Sequence, residues 1–297
     1  LSPYTIYHYH ILVDGVVQSD DYTFRTAASP NMDRFSFVVY GDTREQHNVH
    51  REIVDLIIEM APDFALHTGD LVDDGRTPRF WDTFFEIERE LMARVPLFPA
   101  LGNHELDSDL YRDAFYLPGN ERWYSFDYAN AHFVCIQADN IANLNASSDQ
   151  IRWLQNDLAT TDRPWKIAFF HVPPYSSIER ANDPLVQEVL APILAEHGVQ
   201  VAFNGHDHGY QRLVVDGVTY VITAGGGAPL YAFSTPHPSL VEHSTAYHAT
   251  RVSIDGEILT AQAIAITGEV QAVNISGEIE TSVITDEILD EFRLVLP

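Results

Sequence analysis

The chain has 297 residues, 45% hydrophobic and 11% aromatic, enough for one large core with an appendage. A formal net charge of −26 argues against nucleic acid or an anionic membrane surface as the main partner. The single cysteine, Cys135, excludes a disulfide framework, and no apolar run reaches the roughly 18 residues that a membrane span needs.

In chain order, residues 1–28 differ from the rest of the chain. The segment YTIYHYHILVDGVVQSDDYTFRT reads as two alternating strands around an Asp14-Gly15 turn, one hairpin and too little for an independent domain. The sequence opens at Leu1 without Met, which reads as a processed or trimmed product. Residues 29–34, with Ser29-Pro30-Asn31, read as a linker. From Phe35 onward strands alternate with helical patterns. Asn48 is the expected cap of a helix with Val49, Ile53, Ile57 and Met60 on one face, ended by Pro62. A second helix carries Phe80, Phe84, Ile87 and Leu91, and a third carries Ile151, Leu154 and Leu158. Between them, WYSFDYA and AHFVCIQAD read as antiparallel strands joined at Asn130. A fourth helix is expected from Asp183-Pro184 to Gly198. Beyond Tyr220 the pattern is mostly strand (TYVITAGG, YHATRVSI, ILTAQAIAI, FRLVLP), with residues 226–246 read as a loop over the strand ends. The acidic residues Glu278, Glu280, Asp286, Glu287, Asp290 and Glu291 read as a solvated face.

The chemistry lies where the apolar runs stop. FSFVVY is followed by Gly41-Asp42-Thr43-Arg44, DFALHT by Gly69-Asp70, and PLFPAL by Gly102-Asn103-His104-Glu105. KIAFF is followed by His171 and VQVAFN by Gly205-His206-Asp207-His208. Side chains at the carboxyl ends of strands in one sheet converge on one crevice. Two Asp, one Asn and several His form an oxygen and nitrogen donor set suited to a pair of divalent or trivalent ions, about 3.5–4 Å apart. Two close cations need a shared anion, which makes Asp70 the natural bridge. Asp42 and His208 then serve the first metal, and Asn103, His171 and His206 the second. His104 is placed to act as a general acid without being a ligand, with Glu105 orienting it. Tyr175 and Tyr210 flank the motif histidines and are candidates to line the pocket. His67, His132 and His248 read as packed or structural.

The series GD, GD, GNHE, H, GHDH resembles the calcineurin-like metallophosphoesterases across residues 35–256, most nearly the branch that includes the purple acid phosphatases. Trp123-Tyr124-Ser125-Phe126, Phe170-His171-Val172-Pro173-Pro174-Tyr175 and Gly225-Gly226-Gly227-Ala228-Pro229 add local matches. The resemblance implies an α/β fold, a four-layer α/β/β/α sandwich of two mixed sheets over residues 35–297. It also implies a binuclear centre of Fe, Zn or Mn and hydrolysis of small phosphate esters, mono- or diesters, by metal-activated water. Residues 1–28 resemble the last strands of a fibronectin-III-like domain, which implies an extracytoplasmic or secreted protein. Two positions depart from the family pattern. Many members carry Asp-x-His in the first motif, where this chain has Arg44. Purple acid phosphatases use a tyrosine three residues after the bridging Asp, where this chain has Asp73, so an iron–tyrosinate chromophore is not expected. His50 is the first candidate for the missing ligand, followed by His47 and Asp73. Arg44 is a candidate to grip a phosphate oxygen or to pair with a carboxylate. The competing reading is a degenerate domain of this family kept as a binding module in a cell-surface or secreted protein. A metal-dependent nuclease fits the donor set but not the charge.

Overall fold

The runs that precede the chemistry-bearing residues all form strands, and they fall into two sheets. The structure, a computed structural model, describes residues 1–139, 144–145, 147–178, 184–274 and 276–296. One six-stranded sheet has the order Ile288–Val295, Ile258–Ala265, His248–Asp255, Arg34–Tyr40, Phe64–His67, Leu97–Pro99. Its last three strands are parallel and the others antiparallel. The second sheet is seven-stranded, with the order Leu240–Ser244, Tyr210–Val215, Val218–Thr223, Val201–Asn204, Trp165–Phe170, Ala131–Cys135, Tyr124–Tyr128. Its inner strands are parallel. Parallel strands buried on both faces read as continuous apolar runs, which is why FSFVVY and KIAFF lack alternation.

Three apolar clusters define the layers. Phe37, Phe64 and Leu66 of the first sheet interdigitate with Phe133, Ile167, Phe169 and Phe203 of the second. Phe133 stands edge-on to both Phe37 and Phe64, each with ring centroids 5.2 Å apart, a favoured aromatic geometry. On its outer face the first sheet packs Val38, Tyr40 and Ala65 against Ile53 and Ile57 of the helix His47–Met60 and Leu91 of the helix Pro78–Met92. The outer face of the second sheet meets Ile151, Leu154 and Leu158 of the helix Asp149–Thr160, and Leu194 of the helix Ala191–Glu196. The result is the expected four-layer α/β/β/α sandwich.

Local chemistry accounts for the boundaries. Ser108 and Ser148 cap the helices Asp109–Ala114 and Asp149–Thr160 by accepting the N–H of Tyr111 and Ile151. The helix Asp109–Ala114 was not expected, because six residues are too short for a periodic signal. The first helix starts at His47 rather than after Asn48 and ends at Ala61 in the left-handed conformation. The expected fourth helix is a π-turn over Val186–Leu190 followed by Ala191–Glu196, and its expected cap Asp183 lies outside the described residues. Lys166, the chain's one lysine, donates to the carbonyls of Leu158 (2.9 Å) and His197 (3.0 Å) and so complements two helix carboxyl ends.

The amino-terminal hairpin turns at Asp14-Gly15, both at positive φ, and pairs as Ile6–Tyr9 with Tyr22–Arg25 and Leu12–Val13 with Val16–Val17. It packs on the rest through Tyr9 Oη donating to the Ala93 carbonyl (2.7 Å) and Arg25 paired with Asp63 (2.7 Å). The acidic tail is not simply a solvated face. Gly268–Val273 and Ile279–Ile284 form an unexpected hairpin that pairs with Leu230–Tyr231. Asp290 is enclosed, accepting from Arg212 (2.6 Å) and Tyr210 (2.6 Å).

His132 provides a pH signature of folding. Its ring lies between Asp127 (2.7 Å) and Asp157 (2.8 Å). Burial pulls its pKa down, but the two carboxylates outweigh burial and hold it above 6.5. A folded pKa above the unfolded one gives stability that is complete below about pH 6.5 and is lost as pH rises through the folded value. The urea midpoint of the wild type is therefore expected to fall from pH 6 to pH 8.5 more than that of His132→Gln. Parallel profiles for the two proteins would refute the assignment.

Candidate metal centre

Each chemistry-bearing residue sits at the carboxyl end of its strand, and the backbone there is strained. Asp42, Asp70 and His206 adopt left-handed φ values of 57°, 56° and 70°. Non-glycine residues rarely accept this conformation unless their surroundings over-determine it, and such strain clusters at functional sites. Neighbouring glycines make room for the side chains. A Cβ on Gly102 would collide with Asp70 Oδ1, and one on Gly205 would lie 2.6 Å from Asp42 Oδ2.

Four donor atoms converge. Asn103 Oδ1 lies 3.0 Å from both His171 Nε2 and His206 Nδ1, which are 3.2 Å apart, and Asp70 Oδ1 lies 3.3 Å from His171 Nε2. Atoms held about 2.0–2.2 Å from one ion stand about 3.0–3.5 Å from each other, so the Asn103, His171 and His206 atoms are spaced as ligands of a single metal, with Asp70 adjoining them through His171. The protonation pattern fits as well. His171 Nδ1 donates to the Thr68 carbonyl (2.9 Å), so Nε2 is the ring atom that faces the Asn103 and Asp70 oxygens. Burial and the neighbouring His171 pull His206 down to about 4, which keeps it neutral with a free lone pair. Burial opposes charge on His171, but Asp70 and Asp42 outweigh it and hold its pKa up at about 10. The pocket thus favours positive charge. Asp42, Asp70 and His171 also offer ligand atoms within 4.8 Å of one another.

The remaining expected residues divide. His208 Nδ1 donates to the Pro229 carbonyl (2.6 Å), and its Nε2 lies 3.4 Å from Asp42 Oδ1. Arg44 reaches into the same space, with Nη2 3.4 Å from His208 Nε2 and Nε 3.4 Å from Asp70 Oδ2. His104 is held by its Nδ1 donating to the Asp73 carbonyl (2.7 Å), with Nε2 3.8 Å from Asp70 Oδ2. These side chains and Tyr231 line a cavity of about 120 Å³.

A family assignment now rests on both geometry and sequence. The model of the calcineurin-like phosphoesterases matches residues 35–210, more than half of the chain and every run that bears a candidate metal ligand. The chain belongs to the calcineurin-like phosphoesterase family. It is 28% identical over 280 residues to Purple acid phosphatase 15 of Arabidopsis thaliana, covering 76% of this chain and 52% of that protein. With Purple acid phosphatase 18 of the same plant the identity is 30% over 228 residues, covering 70% and 50%. Two further Arabidopsis thaliana relatives bear names that call them probable inactive purple acid phosphatases. The chain spans about half the length of these curated relatives. The solved purple acid phosphatase of yellow lupin seeds shares the fold, with a TM-score of 0.80, 20% identity, and coverage of 99% of this chain and 60% of that one.

Three expectations about this phosphoesterase domain are corrected. His50 does not join the cluster. His50 stands three, four and seven residues before Ile53, Val54 and Ile57 in the helix, so it shares their buried face. Its Nε2 is bonded to Glu88 (2.7 Å), which also accepts from Tyr40 (2.9 Å), and its ring lies against Phe84. Glu105 does not orient His104. Its carboxylate accepts the backbone N–H groups of Gly102 (2.7 Å), Asp70 (2.8 Å), Leu71 (2.8 Å) and Val72 (3.3 Å). Tyr210 points away to Asp290, and Tyr175 is buried against Tyr220. The aromatic residue at the cavity is instead Tyr231, stacked on His208 at 4.2 Å between centroids. Nothing in the glycine- and proline-rich run around Tyr231 marked it in advance.

Proposed function

We propose that this domain is a metal-dependent hydrolase of small phosphate esters. The observation that carries the reading is the convergence of Asn103, His171 and His206, mutually spaced as ligands of one ion, with Asp70 against His171. An ion held there supplies charge to the phosphoryl oxygens and a more acidic water. The other roles belong to the chain. The Thr68 and Pro229 carbonyls fix the tautomers of His171 and His208. Arg44 offers a permanent positive charge to the phosphoryl oxygens. As water adds to phosphorus and the ester P–O bond breaks, His104 Nε2 gives a proton to the departing alkoxide oxygen, and phosphate and alcohol leave.

The binuclear expectation has unequal support in its two halves. Asn103, His171 and His206 converge with Asp70 beside them, which supports one position, whereas Asp42, Asp70 and His208 have Arg44 among them. That same arginine favours the second reading, a domain of this family that binds ligands without turning them over. The strand pairs of residues 1–28 are in keeping with a small extra β domain of fibronectin-III-like kind, and an extracytoplasmic location is proposed with that reading. Among the described residues no helix is long and apolar enough to cross a membrane.

Chelator-stripped protein reloaded with Zn, Mn or Fe is expected to hydrolyse 4-nitrophenyl phosphate or bis(4-nitrophenyl) phosphate, and the ratio of the two rates assigns monoester or diester preference. Tight metal binding without turnover of either ester would favour the binding module.

A further inference from the structure

We infer that the site holds one metal ion and that the Arg44 guanidinium takes the place of the second cation of a two-metal pair. The inference rests on the reading of Asp70, Asn103, His171 and His206 as a metal site. The other position would need Asp42, Asp70, His208 and at least one more donor. Arg44 already engages two of these three. Its Nη2 donates to His208 Nε2 (3.4 Å), and its Nε lies 3.4 Å from Asp70 Oδ2. The His208 contact is decisive. With Nδ1–H committed to the Pro229 carbonyl, Nε2 carries the only lone pair of the ring, and that pair faces an arginine N–H. Both oxygens of Asp42 accept the backbone N–H of His206 at 3.1 Å.

Two of the candidate donors for the first position are engaged elsewhere. His50 is bonded to Glu88, and the Asp73 carboxylate lies 3.9 Å from Arg44 Nη1 on the open side of the arginine. The Arg44 side chain is 10% exposed and is held by Glu45 from the other side, so it is packed in place rather than trailing in solvent. A guanidinium stays protonated at every working pH and has no lone pair to give. It serves the same electrostatic need as a metal there, offsetting Asp42 and Asp70 and facing the phosphoryl oxygens with planar N–H donors, but it repels a second ion.

The test is the metal count of the intact protein, read independently of turnover. Protein loaded with Mn(II) and freed of excess ion is expected to hold one Mn per chain by elemental analysis and to give the six-line electron paramagnetic resonance spectrum of an isolated Mn(II). Asn103→Ala and His206→Ala are expected to lose that ion, while Asp42→Asn keeps it. Arg44→His, which restores the Asp-x-His spacing, is expected to bind two ions and to show an exchange-coupled spectrum. Two tightly held ions with a coupled spectrum in the wild type would overturn the inference and leave the metal-site reading standing. No bound ion at all would overturn both. The wild-type spectrum decides the matter even if a variant does not fold.

Discussion

Asp70→Asn is expected to release the metal ion and to lower kcat/KM on the order of 10³-fold or more. Asp70 is the residue on which the site turns. Oδ1 faces His171 Nε2 and accepts the His104 backbone N–H (3.0 Å), while Oδ2 faces Arg44 and His104 Nε2. Burial opposes its ionisation, but His171 and His104 outweigh burial and hold its pKa well below the usual carboxylate range. Asparagine keeps the shape and removes the charge. Its amide cannot neutralise an ion, and it leaves the Arg44 guanidinium without its carboxylate. An ion acting as a Lewis acid is worth several kcal/mol of transition-state stabilisation, and at about 1.4 kcal/mol per decade its loss gives the stated fall. Elemental analysis and initial rates measured on one preparation check both halves. A variant with full metal content and wild-type turnover would remove Asp70 from the site.

His104→Ala should behave differently: the metal stays and kcat falls by about 10²–10⁴-fold, the range for a positioned acid. The distinction comes from geometry. His104 is anchored through Nδ1 to the Asp73 carbonyl, and its Nε2 is 3.8 Å from Asp70 Oδ2, outside the tight set of acceptor atoms. The loss should be greatest for alkyl esters, whose alkoxide must be protonated as it leaves, and should shrink for nitrophenyl esters, whose phenolate leaves unaided. An equal loss across leaving groups would assign His104 to phosphoryl binding instead. Disappearance of the metal would make it a ligand.

The positions that meet at the site were legible because each comes directly after an apolar run that could only be a buried strand; the expectation that these strands share one sheet was wrong, since they fall into two packed sheets whose carboxyl ends meet. Helical periodicity recovered three of the flanking helices, and the two-sheet sandwich came from the family resemblance. Errors remained at individual residues. His50 was misjudged because its nearness to the first strand end was weighed above its spacing with Ile53, Val54 and Ile57, which puts it on the buried face against Glu88 of the neighbouring helix. Glu105 was misread because adjacency to His104 suggested contact, whereas its side chain turns back to backbone N–H groups of its own strand end and the next. Tyr231 and the enclosed Asp290 depend on long-range approach, one from the short strand Leu230–Tyr231 and the other from the last strand. No spacing within either segment encodes such contacts.

Glu105 itself has a wider consequence. One carboxylate gathers the backbone of the segment bearing Asp70 and the segment bearing Asn103 and His104, using main-chain N–H groups rather than the donor atoms of the site. Burial and the nearby Asp70 push its pKa up to about 8, so the fold retains this group at an electrostatic disadvantage. As a result, two loops that would otherwise be ordered by an incoming ion are already fixed in place when the chain folds. The conformational entropy of assembling the centre is thereby lost during folding rather than during ion capture, so an ion can enter or leave an essentially finished cage. Occupancy of such a cage tracks the ion supply of its surroundings rather than a folding event, unlike small domains whose structure exists only with metal bound.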